Sequence, residues 1–254
     1  MSTDTPSPAW SDDDLSHNPH AAADKAKRVE QMFAAIAPSY DLNNRLHSMW
    51  RDQAWRKTAV KIAKLQPGDV VADIACGTGD LSMAFQKGGA GRVVGIDFTV
   101  PMLGVADVKH AKMPGETPLT YQAGDAMRLP LVDQSADVVS IAFGIRNVAD
   151  PAKAMAEFVR VLRPGGRVIV LEFSLPKNPL LRTGYNFYFK HILPRTASLI
   201  ARDKSGAYKY LPKSVNTFID RAGMTTMMQD AGLTDITVKP LTCGVAVCYR
   251  GVNV

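Results

Sequence analysis

A chain of 254 residues has room for one full α/β domain with elaborations, or at most two small domains, and one core domain is the expectation. With 46% hydrophobic and 21% charged residues and no run near the ~18 apolar residues of a spanning helix, the composition is that of an ordinary soluble protein and excludes a membrane-crossing one. The net charge of +6 admits nucleic acid, anionic lipid, an acidic substrate or simply a basic surface, because charge governs association and not chemistry. Three cysteines, Cys76, Cys243 and Cys248, form an odd set without metal-ligand spacing, which suits a reducing cytoplasm and no zinc site.

Residues 1–25 are rich in Ser, Asp, Pro, Asn and His, and are expected to be a disordered tail. They show no basic start followed by an apolar run, so neither a secretory signal nor a transit peptide is indicated. Val29, Phe33, Ile36 and Ala37 recur at helical spacing until Pro38 ends that helix. The segment SYDLNNRLHSMW mixes aromatic, amide, acidic and His side chains, and is assigned no element. Asp52 is expected to cap a second helix, with Trp55, Ala59 and Ile62 on one face, that stops at Pro67-Gly68.

Val70, Val71, Ala72 and Ile74 read as a parallel strand buried on both faces. They run into Cys76-Gly77-Thr78-Gly79, where glycine lets the backbone approach a ligand, and Asp80–Phe85 opens a helix whose first N–H groups face it. Roughly 20 residues on, a second strand, RVVGIDF, ends in Asp97, where a doubly wound fold places an acid against a ribose diol. The dinucleotide fingerprint would need a glycine at Ser82. Asp73 ahead of the series Ala75, Gly77, Gly79 resembles instead the turn of S-adenosylmethionine (SAM)-dependent methyltransferases, which favours SAM over NAD.

A helix interrupted early by Pro101 is expected to run to Lys112, followed by a third strand, LTYQA, leading to Asp125 and Ala126. A carboxylate there suits an adenine amino group or a turn cap. The fourth strand, ADVVSIAFG, leads to Arg146-Asn147 at a strand end, where open α/β sheets hold ligands. Asp150-Pro151 starts a helix burying Met155, Phe158 and Leu162, which Arg163-Pro164-Gly165-Gly166 stops. Glu172 lies inside the apolar fifth strand, RVIVLEFS, and is expected to be a paired structural carboxylate or part of the site. Residues 180–200 combine large apolar side chains with Arg182, Lys190, His191 and Arg195, the mixture of a lid, a membrane-surface helix or plain amphipathic packing. A helix over 221–231 and two tightly joined strands, TDITVKPLT and GVAVCYRGV, complete a mainly parallel sheet with one reversed strand, expected at its edge.

From residue 26 onward the chain resembles the C-methyltransferases of ubiquinone and menaquinone biosynthesis, the UbiE/MenG type. The likeness rests on RVEQMFAAIAPSYDLNNRL, ACGTGDL, AFGIRNVADPAKAMAEFVRVLRPGGRVIVLEFSLP, YFKHILPR, AYKYLPKSV, MMQDAGL and LTCGVA. It implies a Rossmann-like α/β fold, the seven-stranded SAM methyltransferase sheet with one antiparallel strand. The chain then divides into a tail (1–25), a helical cap (26–66), a SAM-binding core (69–176), substrate-lid helices (177–233) and a terminal strand pair (234–254). SAM contacts are implied at Asp73, Gly77, Thr78, Gly79, Asp97 with Phe98, Asp125 with Ala126, and Ala142, where some members carry a hydroxyl. Trp50 stands where the family usually has Gly.

The implied substrate is a polyprenyl hydroquinone, methylated on a ring carbon once a neighbouring hydroxyl gives up its proton, without a metal. Tyr40, Arg146 and Asn147 are implied to hold the phenolate or a water, with nearby Arg charge favouring ionised tyrosine. Asp41 and His47 are alternative bases, although a cap or surface role suits each of them. The resemblance also implies a cytoplasmic enzyme, with peripheral contact to the inner membrane face and self-association left open, and no nucleic acid partner. DKSGAYKYLPKSV is closer to menaquinone-only members. Three other readings stand beside this one: an O- or N-methyltransferase of another apolar substrate, a nicotinamide-dependent oxidoreductase, and a non-catalytic quinone-binding scaffold.

Overall fold

The computed structural model describes residues 8–201, 203 and 205–254. One sheet is built from β1 (Val70–Ile74), β2 (Arg92–Asp97), β3 (Leu119–Ala123), β4 (Ala136–Ala142), β5 (Leu162–Phe173), β6 (Leu233–Leu241) and β7 (Ala246–Asn253). Its order is β3-β2-β1-β4-β5-β7-β6. β1 pairs in parallel with β2 (Val71 opposite Val93) and with β4 (Val71 opposite Val138), so the strand order reverses between β1 and β4. A crevice opens beyond the carboxyl ends of the strands at such a reversal.

The reversed strand is not at the edge as the sequence suggested. β7 runs antiparallel between β5 and β6, so β6 is the edge strand and points the same way as the rest. An inner position suits β7, since Ala246, Val247, Cys248 and Tyr249 are buried, while β6 is largely exposed.

Successive strand residues face opposite sides, and both sides are apolar. Ile74, Ile96, Val139 and Val170 pack on one face against α6 (Pro151–Val161) and α10 (Arg221–Asp230). On the other face, Val71, Val93, Val138 and Ile169 meet α3 (Arg51–Ala63) and α4 (Asp80–Lys87). A third cluster lies away from the sheet, under α1 (Lys25–Ile36), α8 (Leu193–Ala201) and α9 (Ala207–Thr217).

That third cluster corrects the expected tail. Residues 1–7 lie outside the described residues, but Ala9 and Trp10 are buried, and Trp10 stacks on Tyr210 with ring centroids 4.7 Å apart. One tryptophan in a polar stretch is enough to anchor it, because a single large aromatic buries as much apolar surface as several small side chains.

The segment without an assigned element forms α2 (Tyr40–Ser48), which follows α1 after one 3₁₀ turn at Ala37–Ser39. α1 thus stops just before Pro38 as expected, and Pro38 sits in the 3₁₀ turn that leads directly into α2. Asp52 is not a cap: α3 starts at Arg51, and Asp52 sits in its first turn, buried, accepting from Ser48 Oγ at 2.9 Å and paired with Arg56 at 3.1 Å. Pro101 does not interrupt a helix but opens α5 (Val100–Lys112), where its missing N–H costs nothing. Leu162 and the Arg163–Gly166 run belong to a bulged β5, not to a helix end. The lid segment folds as α7 (Pro179–Phe187), a π-turn over Tyr188–Ile192, and α8, with Asn178 capping α7 through Leu180 N and Leu181 N. Among the described residues, no helix is long and apolar enough to cross a membrane.

Candidate active site

β1 ends at Ile74, and the turn that follows is held by its own carboxylates. Asp73 is fully buried and accepts from Ser82 Oγ at 2.6 Å and Ser140 Oγ at 2.7 Å, tying the start of α4 and strand β4 to β1. Burial pushes its carboxyl up to about 6, outweighing the two hydroxyl donors. Gly77 and Gly79 both have positive φ (55° and 79°), and a Cβ on Gly79 would lie 2.2 Å from Tyr121 Oη. Even Ala75 is forced to φ 50°. Gly79 is required by both its backbone and the Tyr121 ring, and Gly77, with open space beside it, by its positive φ alone.

Asp97 closes the turn from β2. Its Oδ2 accepts from Gly77 N and its Oδ1 from Thr99 N, both at 2.8 Å. Burial raises its pKa against these donors, with the Thr99 hydroxyl and Phe98 N–H also favouring the charged form. Around it lies a cavity lined by Gly77, Asp97, Phe98, Asp125, Ala126 and Ala142, with Tyr40 and Asn147 at its border. Asp125 accepts from Met127 N through Oδ1 at 2.9 Å, and among the described residues Oδ2 has no partner. Two acceptor carboxylates, a small-residue floor at Gly77 and Ala142, and the exposed Phe98 ring fit a nucleoside with a hydroxyl pair and an amino group.

Asp73, Thr78 and Gly79 do not line that cavity. Asp73 faces its two serines; Gly79 abuts Tyr121; Thr78 donates through Oγ1 to Asp41 Oδ1 at 2.6 Å. These three shape the turn and do not border the space.

A second, larger cavity of about 330 Å³ adjoins the first, and Phe33, Tyr40 and Phe143 line both. Its walls come from α1, α2, α3, the π-turn region and α9, and include Trp55, Phe173, Tyr185, Phe189, Tyr208 and Tyr210. The volume is that of a small-molecule site, with aromatic walls interrupted by polar groups that include His47, Asp52, Arg56 and Arg146.

Arg146 is one of three arginines lining this cavity, with Arg51 and Arg56. It lies on a 3₁₀ turn at Ile145–Asn147 and is 5% exposed. Nη1 donates to Glu172 Oε1 at 2.6 Å and Phe143 O at 2.8 Å, and Nε donates to Ser214 Oγ at 3.4 Å. Among the described residues Nη2 has no partner, so one edge of the guanidinium is left for an oxygen in the cavity. Glu172 is thus the paired carboxylate, stationed inside β5 to hold Arg146. Asn147 is fixed just as firmly, with Nδ2 on Phe143 O at 3.2 Å and Oδ1 accepting from Tyr210 Oη at 3.0 Å.

Tyr40 stands where the cavities meet, but its chemistry differs from the expectation. Burial raises its pKa, and the Arg56 and Arg146 charges pull it down by less. Burial therefore outweighs the Arg charge that was expected to favour ionised tyrosine. Asp41 is consumed by an ion-pair network: it accepts from Lys109 Nζ at 2.6 Å, and Lys109 also bridges to Asp80 at 2.6 Å, which in turn receives Arg45 at 3.0 Å. Burial by itself would raise the Asp80 pKa, but Arg56, Lys109 and Arg45 together hold it well below the carboxylate range. This network clamps α2 over the glycine turn, and no apolar periodicity announces it. His47 lines the larger cavity, is kept neutral by burial, and shares Nδ1 with Tyr188 Oη at 3.0 Å.

The aromatic walls escaped the sequence reading because they come from five separate segments. Several of these segments, among them YFKHILPR with Phe189 and AYKYLPKSV with Tyr208 and Tyr210, carried a recognisable pattern, but their meeting at one wall did not show in it.

Residues 21–253 match the model of the ubiE/COQ5 methyltransferase family. The chain is 40% identical to the ubiquinone/menaquinone biosynthesis C-methyltransferase UbiE of Geobacter sulfurreducens over 230 residues, 90% of this chain and 89% of the relative. It is 38% identical to the demethylmenaquinone methyltransferase of Lactobacillus johnsonii over 229 residues, 89% of this chain and 93% of the relative. Among solved structures, a SAM-dependent methyltransferase of Thermotoga maritima superposes with a TM-score of 0.62 at 19% identity, covering 89% of this chain and 100% of that one. The phosphoethanolamine N-methyltransferase 2 of Haemonchus contortus, solved with S-adenosyl-L-methionine, gives 0.59 at 16% identity over 80% and 52% of the two chains. At such identities these two structures bear on the fold alone.

Proposed function

We infer the reaction from one premise: this chain belongs to the ubiE/COQ5 methyltransferase family. It is a SAM-dependent methyltransferase of quinone biosynthesis, and the C-methyltransferase named among its relatives favours a ring carbon over oxygen or nitrogen as the acceptor. The nicotinamide and scaffold readings fall away with that membership. The substrate is a polyprenyl hydroquinone, either demethylmenaquinol or a methoxybenzoquinol. The observation that carries this reading is the pair of cavities joined at Tyr40, Phe33 and Phe143, one nucleoside-shaped and polar at its ends, the other walled mainly by aromatic side chains and bordered by the Arg146 guanidinium.

SAM supplies an electrophilic methyl group when bound. Asp97 would accept from the ribose hydroxyls and Asp125 from the adenine amino group, with Phe98 and Ala142, which line the same cavity, bordering the nucleoside. Asp73, Thr78 and Gly79 contribute at one remove by fixing the turn.

A quinol carbon becomes nucleophilic as its neighbouring hydroxyl gives its proton to a base, for which the neutral His47 lining the larger cavity is the candidate. After methyl transfer the ring carbon releases its own proton. In the apolar cavity a developing phenolate is stabilised by donors already in place, and Tyr40 Oη and Arg146 Nη2 are such donors. Their positions cost no reorganisation at the moment of reaction, because Glu172 and Tyr210 hold the Arg146–Asn147 turn. The stacked aromatic walls exclude water and align the ring, which converts a two-molecule encounter into an oriented one. Arg146 itself takes no proton, since a guanidinium stays charged at any working pH.

The deciding experiment is incubation with methyl-labelled SAM and, separately, demethylmenaquinol and the methoxybenzoquinol. Label on a ring carbon of either supports the reading and identifies the ring. No label on either, with SAM binding intact, overturns the substrate assignment.

A further inference from the structure

Charge is distributed unevenly along the chain. From Ser174 to Arg202 there are five Lys and Arg and no Asp or Glu, so 29 residues hold five of the six net positive charges. Lys177, Arg182, Lys190 and Arg195, which belong to this stretch, are all exposed. The same stretch exposes large apolar side chains: Leu180 is 81% accessible, Phe187 60% and Leu199 80%.

A second feature meets it in space. The α2–α3 turn holds Met49 and Trp50 at positive φ, 52° and 60°, a conformation that costs a side-chain-bearing residue roughly 1 kcal/mol or more. What the turn gains is the outward display of both side chains, 80% and 58% accessible. His47, just before the turn, is bonded to Tyr188 in the π-turn, so the two apolar displays adjoin. Both border the larger cavity, which Met49 lines from one side and Tyr185 and Tyr188 from the other.

We propose that the α2–α3 turn and the α7–α8 segment form one insertion face for an anionic lipid bilayer, with Met49, Trp50, Leu180, Phe187 and Leu199 entering the headgroup region and the basic side chains meeting lipid phosphates. Apolar groups beside a polybasic surface without acids are what an interfacial segment requires, and neither signal alone gives stable attachment. Resting on the substrate reading above, the face also explains the cavity: it admits a quinol ring between these elements while the polyprenyl tail stays in lipid. The tail then needs no groove of its own in the protein.

The test uses the whole protein with vesicles of phosphatidylcholine, alone or mixed with phosphatidylglycerol. Of the three tryptophans, Trp10 and Trp55 are buried, so Trp50 reports the face directly. The expected result is a blue shift and quenching by bromine-labelled lipid on mixed vesicles only, reversed by high salt and absent in Trp50→Phe. Lys190→Gln with Arg195→Gln should weaken partition roughly 25-fold, about fivefold per charge. No partition, partition without a Trp50 response, or equal binding to phosphatidylcholine alone would each overturn the proposal. Turnover of a tail-less quinol in vesicle-free buffer, run alongside, separates the two ideas: turnover without vesicle binding sinks only the face, and vesicle binding without turnover on any quinol sinks only the substrate.

Discussion

Glu172→Ala should unfold this protein well before it disturbs any contact with SAM. The Glu172 and Arg146 side chains are 3% and 6% accessible and meet at 2.6 Å, so solvent screens the pair little. Removing the carboxylate leaves a guanidinium in an apolar cavity with only Phe143 O and Ser214 Oγ as neutral acceptors. Breaking one side of such a buried pair costs about 3–5 kcal/mol. For a chain of this size that lowers Tm by about 2–4 °C per kcal/mol, or roughly 6–20 °C in all. Replacing both partners, as in Arg146→Met with Glu172→Leu, removes the stranded charge and should recover most of the loss, because apolar substitutes for a buried pair are often neutral. Thermal unfolding followed by near-UV circular dichroism measures all three proteins, and methyl transfer measures the site. The double variant should be folded and SAM-binding yet inactive on quinol. A Glu172→Ala melting point within about 2 °C of the parent, or a double variant no more stable than the single one, would show that the pair is not the structural element described here.

Asp73 carries a pH signature of its own. Its folded pKa of about 6 lies above the ordinary carboxylate value, so between about pH 4 and 6 the folded protein holds the extra proton and stability falls as pH rises. The deficit is complete above pH ~6 and amounts to about 3 kcal/mol. Asp73→Asn should remove that slope in urea titrations across the window; a slope that survives would clear Asp73 of causing it. Asp97→Ala should weaken SAM binding by about 10- to 100-fold in calorimetry, the loss of hydrogen bonds to a charged acceptor, and unchanged affinity would move the ribose elsewhere. Gly79→Ala meets both positive φ and Tyr121 Oη, and should abolish SAM binding while Gly104→Ala, with open space around it, does not. Trp10→Ala should cost about 3–5 kcal/mol in chemical unfolding, whereas a free tail would show no change.

Periodicity and turn chemistry carried much of the fold on their own. Strands such as Val70–Ile74 are legible because burial on both faces demands an unbroken apolar run, and the turn at Gly77–Gly79 because only glycine tolerates that path. Asp97 and Asp125 were legible for a related reason: both follow a strand end by fixed local geometry. What the sequence could not contain is pairing across distance. Whether β7 lies inside or at the edge depends on which face of β6 finds cover, and Trp10 looked like tail until Tyr210, 200 residues on, supplied its partner.

The site divides along the same line. Arg146 and Asn147 were visible as polar residues at a strand end, but that Glu172 neutralises one edge of the guanidinium and leaves the other to the cavity is a fact of packing. The sign of the Tyr40 shift was decided the same way, since nearby Arg charges are countable in sequence and burial is not. Local chain geometry fixed the glycine turn and strand ends that line the smaller cavity, although α1 and Tyr40 also close it. The apolar half is assembled from five segments, and only the folded chain brings them to one wall, because a cavity is a property of the surfaces that fail to touch.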